Sequence, residues 1–188
     1  MATFLQLLKE TGARCGEAWR LKWKDVDFES KVVAITPEKG SNPRVNAMSN
    51  KLLSMLQSLQ RNHGEWVFSY PNMPVEHHAD NFGQQRKRIA HKTRNPRLLQ
   101  IHFHTFRYWR GTMLYHQYRS EFYVMQQLGH RKIENTLLYI QLEEALFQGT
   151  VDYICKVAKT EAEICKLVED GFDPVCEFQG KKVFRKRK

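Results

Sequence analysis

Between Asp25 and Met48 the apolar pattern leaves the helical period that governs the segments around it, and that switch narrows the folds open to this chain. Val32, Val33 and Ile35 are β-branched, and Pro37-Glu38-Lys39-Gly40-Ser41-Asn42-Pro43 supplies turn chemistry before Arg44 to Met48. The stretch reads as a hairpin with Lys39 at its tip. On its N-terminal side Phe4, Leu5, Leu7 and Leu8 form a helical stripe, Thr11-Gly12 breaks it, and Ala18, Leu21 and Trp23 resume it, with Arg14 near the new helix N-terminus. Ser49 or Asn50 can cap a helix to about Gln60 that carries Leu52, Leu53, Leu56 and Leu59.

Gly64 to His78 reads as a loop, and Phe82 to Lys92 as a polar, basic segment. Thr105 to Tyr118 is expected to be a helix, Phe122 to Leu128 a second one ended by Gly129, and Glu134 to Phe147 a third that carries Tyr139. Beyond Gly149 the expectation is a helix from Val151 to Glu169, a C-cap at Gly171, and a last hairpin from Val175 to Phe184 running into Arg185-Lys186-Arg187-Lys188.

At 188 residues the chain holds one domain with a full core and at most a small appendage. The expected division is a domain over 1–147 and a C-terminal helix, hairpin and basic tail over 148–188. An apolar fraction of 41% excludes a disordered chain, and no apolar run reaches a membrane span or a secretion signal, so a soluble cytoplasmic protein is expected. Cys15, Cys155, Cys165 and Cys176 lack metal-ligand spacing and read as ordinary buried or half-buried thiols. The formal charge of +10 is spread along the chain and suits a polyanion.

Arg14, Lys39, His104, Arg107, His130 and Tyr139 together supply what is needed to hold and attack a phosphodiester without a metal. Displacement at phosphorus builds negative charge on the non-bridging oxygens, and guanidiniums meet it with paired N–H groups. Arg14 and Arg107 are the candidates. Tyr139 can form a reversible phosphoester, His104 can accept its proton, Lys39 can protonate the departing oxygen, and His130 can bond the phosphate. Glu17, one turn after Arg14, can orient a guanidinium or a histidine. Arg44, Arg86, Lys87, Arg88, Arg110 and Lys132 are the expected DNA contacts.

Thr11-Gly12-Ala13-Arg14-Cys15-Gly16-Glu17, Lys39-Gly40 followed by Arg44, His104-Thr105-Phe106-Arg107, and Leu128-Gly129-His130 leading to Tyr139 resemble, in order, the catalytic domain of the tyrosine recombinase (phage integrase) family. The resemblance implies a mainly α fold with a small antiparallel sheet, a covalent 3′-phosphotyrosine intermediate with Tyr139 as nucleophile, no cofactor, and strand exchange within a homo-tetramer on double-stranded DNA. It suggests an integrase of an archaeal or viral mobile element. The chain departs from the family at Tyr108-Trp109-Arg110, where a small or polar run is usual, and at Cys15-Gly16. The family's separate N-terminal DNA-clamping domain has no counterpart before Met1, so an excised catalytic domain or a short form that binds DNA weakly, as a monomer or dimer when isolated, is expected. Two other readings use the same residues: a type IB topoisomerase-like nickase, against which His104 counts, and a catalytically silent DNA-binding regulator.

Overall fold

The computed structural model describes residues 1–38, 40–59, 64–69, 74–147, 153–178 and 180–187. The chain folds as two compact units, Met1–Glu143 and Glu144–Lys188.

The first unit is mostly helical. Helix α1 (Ala2–Thr11) buries Phe4, Leu7, Leu8 and Thr11 at the i, i+3, i+4, i+7 spacing of one helical face and ends where the Gly12 N–H donates to the Leu8 carbonyl. Helix α2 (Cys15–Trp19) follows at once, with Arg14 as its N-cap. Strands β1 (Val26–Asp27), β2 (Val32–Ile35) and β3 (Arg44–Ala47) form an antiparallel sheet in that order. The hairpin expected from the period switch is thus β2–β3; its tip residue Lys39 lies outside the described residues. Val33 and Ile35 point into the same core as α1, while Arg44 and Asn46 are buried on β3.

The remaining helices are α3 (Asn50–Gln57), α4 (Val75–Lys92), α5 (Phe103–Tyr118), α6 (Glu121–Leu128) and α7 (Glu134–Phe147). The Ser49 hydroxyl accepts from the Leu52 N–H and starts α3. Helix α4 begins at Val75 behind Pro74, inside the segment read as loop. The apolar signal there is sparse because α4 buries only Ala90 fully, although the His78 ring packs between Phe4 and Trp19, at centroid distances of 4.5 and 4.8 Å.

In the second unit, Val151–Glu169 is not one helix. Tyr153–Ala158 is strand β4, and helix α8 (Glu161–Glu169) starts only at Thr160, whose hydroxyl accepts from the Glu163 N–H in a capping box. Branched side chains before Thr160 favour the strand, and the cap sets the break. Strands β5 (Asp173–Phe178) and β6 (Lys181–Arg187) form the expected hairpin, and β6 lies between β4 and β5 in an antiparallel sheet. Ala158, Leu167, Phe172 and Phe184 are this unit's own core. The cysteines depart from expectation: Cys155, Cys165 and Cys176 are exposed, with Cys155 on a strand, and only Cys15 is half-buried. Burial, then Glu38 and Glu76, push the Cys15 thiol up to about 12, which keeps it protonated and unreactive.

Candidate active site

The site lies in the first unit and is built where three chain turns meet. Arg107, on the first half of α5, is 1% exposed. One of its Nη atoms donates to the Gly12 carbonyl at the end of α1 (2.6 Å) and the other to the Leu128 carbonyl at the end of α6 (2.8 Å). The guanidinium therefore uses orphan helix-terminal carbonyls as its frame. Burial lowers its pKa.

Tyr139, on α7, reaches the same guanidinium. Only 3% of the residue is exposed, and the Arg107 guanidinium is near enough to act on its hydroxyl. Burial raises the phenol's pKa, opposed by the charges of Arg107 and Arg14. Space for the ring comes from Gly111, two turns after His104 on α5: a Cβ there would come within 2.5 to 2.7 Å of three Tyr139 ring carbons.

His130 stacks on Tyr139, with centroids 5.7 Å apart and ring planes 12° from parallel. Its Nδ1 lies 2.9 Å from the hydroxyl oxygen of Thr136, which is fully buried at the start of α7. Burial first, then Arg107, Arg14 and Arg44, pull the imidazole down to about 4, so it is neutral at physiological pH. His104 is exposed at the mouth, edge-on to Tyr108 at 4.9 Å. Its pKa is lowered by burial of part of the ring and then by Arg107 and Arg14. The Tyr108 ring in turn lies 6.1 Å from that of Tyr139. Tyr108, directly after Arg107, thus lies beside both His104 and Tyr139.

Arg14 is partly exposed, and its charge acts on Arg107, His104, His130 and Tyr139 alike. The two guanidiniums required by the phosphodiester reading are thus near enough to act on one another and on the same phenol and imidazoles. Glu17 holds Arg14 directly and joins it to Arg44. Its carboxylate accepts from the Arg14 backbone N–H (2.8 Å) and side chain (3.4 Å), and from both Nη atoms of Arg44 (2.6 and 3.3 Å). Burial alone would raise the Glu17 pKa, but Arg44 and the backbone donors outweigh it and hold the carboxyl at about 2.

The β2–β3 hairpin is pinned to the same place. Ser41 Oγ and the Asn42 N–H both donate to the Gly129 carbonyl, at 2.9 and 2.8 Å. Gly129 has φ +70, and a Cβ there would come 2.6 Å from the Asn42 carbonyl oxygen, so only glycine fits this crossing. Ser41 and Asn42 are therefore anchored next to His130.

The expected DNA contacts divide. Lys87, Arg88 and Lys132 are exposed. Arg44 is not a surface cation: it is buried against Glu17, because β3 turns that side chain inward. Arg86 donates to the Ile101 carbonyl and faces His102, which ties α4 to the segment before α5. Arg110 is half-buried near Tyr123, Tyr118 and Glu10, and burial lowers its pKa. Thr136, Gly111, Ser41 and Asn42 carry no functional signal singly. Gly111 has one faint mark, a glycine inside a strong helix, which costs about 1 kcal/mol against alanine.

Known proteins resemble this chain over most of its length. The ICEBs1 integrase of Bacillus subtilis is 25% identical over 162 residues, covering 72% of this chain and 43% of its own length. A probable integrase/recombinase of Acholeplasma phage L2 is 24% identical over 142 residues, covering 76% and 49%. The chain thus spans under half the length of these relatives. Among solved structures, the Tn1549 transposon integrase in complex with transposon right end DNA superposes with a TM-score of 0.63 at 19% identity, covering 79% of this chain and 58% of that one. XerH site-specific recombinase bound to a palindromic difH substrate gives 0.60 at 21%, covering 78% and 43%. These likenesses establish the fold. The model described as "Phage integrase family" matches residues 1–145, most of the chain, and on that match the chain belongs to the phage integrase family.

Proposed function

We propose that this chain is the strand-cleaving and rejoining domain of a site-specific DNA recombinase. The observation that carries the reading is a buried phenol on which a buried guanidinium and a second, partly exposed guanidinium both act. The Tyr139 oxygen attacks phosphorus, an O–P bond to tyrosine forms, and the bond to the 5′ oxygen breaks, leaving a 3′-phosphotyrosine and a free 5′-hydroxyl. The phenolic proton leaves as the bond forms, and the departing oxygen takes one. Neutral His104 at the mouth can receive the first, and Lys39, on the hairpin anchored by Ser41 and Asn42, can deliver the second. Arg107 and Arg14 bear the charge on the non-bridging oxygens, so the step calls for no cofactor. His130, with Nδ1 turned to Thr136, presents Nε2 for a hydrogen bond to phosphate.

The partner is double-stranded DNA, and the relatives with DNA in their structures support this. Paired sites are joined in a homo-tetramer. The work is done in the cytoplasm, at the chromosome or a mobile element. Incubation with a nicked duplex, from which the short fragment bearing the freed 5′-hydroxyl diffuses away after cleavage, should trap the wild-type chain covalently. Tyr139→Phe should trap none while binding DNA with an unchanged Kd. Equal trapping by the variant would overturn the assignment.

A further inference from the structure

Thr136, Tyr139 and Glu143 are the buried residues of α7, spaced three and four apart and so on one face. Thr136 and Tyr139 belong to the site just described. Glu143, one turn beyond Tyr139, does not, yet it holds a dense set of charged contacts. Its side chain is 3% exposed. Oε1 lies 2.6 Å from His116 Nδ1 and 2.6 Å from one Nη of Arg119, while the other Nη of Arg119 reaches Oε2 at 2.7 Å. Burial pushes the carboxyl pKa up, but the bonds from His116 and Arg119 outweigh it and hold the group ionised.

His116 lies in the last turn of α5, and Arg119 is its C-cap. Arg119 holds φ at +49, a left-handed conformation uncommon outside glycine and costing about 1 to 2 kcal/mol. Its guanidinium, over the Tyr115 ring at 5.5 Å, is thereby turned toward α7. Apolar packing of α7 within the first unit is thin: Tyr139 and Leu142 join the cluster of Leu114, Val124 and Leu128, whereas Leu137 and Leu138 are over 40% exposed. A paired, bidentate, desolvated carboxylate is a strong directional tie in such a place. Breaking it leaves a charge buried without its partner.

We infer that Glu143 is a positioning residue for the nucleophile: with Arg119 and His116 it latches α7 to the end of α5 and fixes the depth at which the Tyr139 phenol meets Arg107. Two polar ties then bracket Tyr139, Thr136 to His130 three residues before it and Glu143 to Arg119 four residues after. The inference rests on reading Tyr139 as the attacking group. A one-ångström misplacement of a reacting atom costs on the order of 100-fold in rate, so a latch outside the pocket can act on the chemical step.

The test uses the full chain with Glu143→Gln and Arg119→Lys. Three quantities are measured: single-turnover covalent attachment to a nicked duplex at saturating protein, Kd for the same duplex, and amide hydrogen exchange. In Glu143→Gln, attachment should fall roughly 10- to 100-fold with Kd changed less than about twofold. Amides of 134–143 should exchange at least about 10-fold faster, while those of 103–114 stay protected. Arg119→Lys should lie between wild type and Glu143→Gln in both readouts, since an ammonium cannot make the forked contact. The latch is refuted if exchange in α7 is unchanged, or if it quickens with no loss of attachment. Should Glu143→Gln unfold, Arg119→Lys carries the test alone: slower attachment with faster α7 exchange supports the latch, and wild-type values in either refute it. If the wild-type chain attaches to no DNA, the nucleophile reading fails, and the exchange measurement still judges the latch by itself.

Discussion

His130 shows how burial and charge fix the state of a single residue. Its imidazole is pulled from an ordinary 6.5 down to about 4, so the unfolded chain binds this proton more tightly than the folded one does. Stability is therefore full above pH 6.5 and is lost as pH falls from 6.5 toward 4, by an amount on the order of 2 to 3 kcal/mol for one group of this depth. His104 moves in the same direction, so its proton-accepting form also persists below 6.5. The acid limb of covalent attachment should accordingly lie below pH 6.5, and melting temperature should decline over the same window. In His130→Asn that decline should flatten; an acid limb at or above 6.5 would contradict the lowered pKa values. Little of this is legible in the sequence. The His130 to Tyr139 spacing is visible there, but the shift comes from burial and from the charges of Arg107, Arg14 and Arg44, which only the folded chain brings near the ring.

Elements are legible where a terminator has its own chemistry. Thr11-Gly12 closing α1, Ser49 opening α3 and Gly129 closing α6 stand in the sequence as they stand in the fold, because caps are local interactions. The start of α4 and the strand β4 escape the sequence for the opposite reason. Helix α4 opens with Val75-Glu76-His77-His78 behind a proline and buries the His78 ring through tertiary contact with Phe4 and Trp19, while β4 owes its conformation to pairing with β6, about thirty positions away. Gly129 joins both kinds of cause: it caps α6 and admits the hairpin carbonyl of Asn42. Gly129→Ala should thus incur the left-handed penalty of about 1 to 2 kcal/mol and a displaced β2–β3 hairpin besides. Denaturant melts should show a loss larger than that penalty alone, and attachment should slow more than DNA binding weakens. A loss no greater than the penalty would mean that the hairpin tolerates the methyl group.

At the scale of the whole molecule, the excess of ten positive charges is plain from composition, but composition does not say which cations face solvent. Arg44 and Lys87 look alike in the sequence and differ entirely in the fold: Arg44 is buried in an ion pair with Glu17, whereas Lys87 and its neighbour Arg88 are exposed on α4. A phosphate contact releases counterions and contributes about 0.9 to the slope of log affinity against log salt, while a buried pair contributes none. If α4 lies along DNA, Lys87→Ala/Arg88→Ala should reduce that slope by about 1.8, weaken binding most at low salt, and leave melting temperature within a degree or two. Arg44→Met should do the reverse. It removes the strongest charged partner of the buried Glu17 carboxylate, leaving Arg14 alone beside it, costs about 3 kcal/mol of stability, and leaves the salt slope of the folded protein near the wild-type value. Fluorescence anisotropy titrations from about 50 to 200 mM salt, paired with thermal melts, separate the two. A slope unchanged in the α4 variant would take that helix off the DNA, and a slope lowered by Arg44→Met in the folded protein would mean that Arg44 leaves Glu17 for a phosphate on binding.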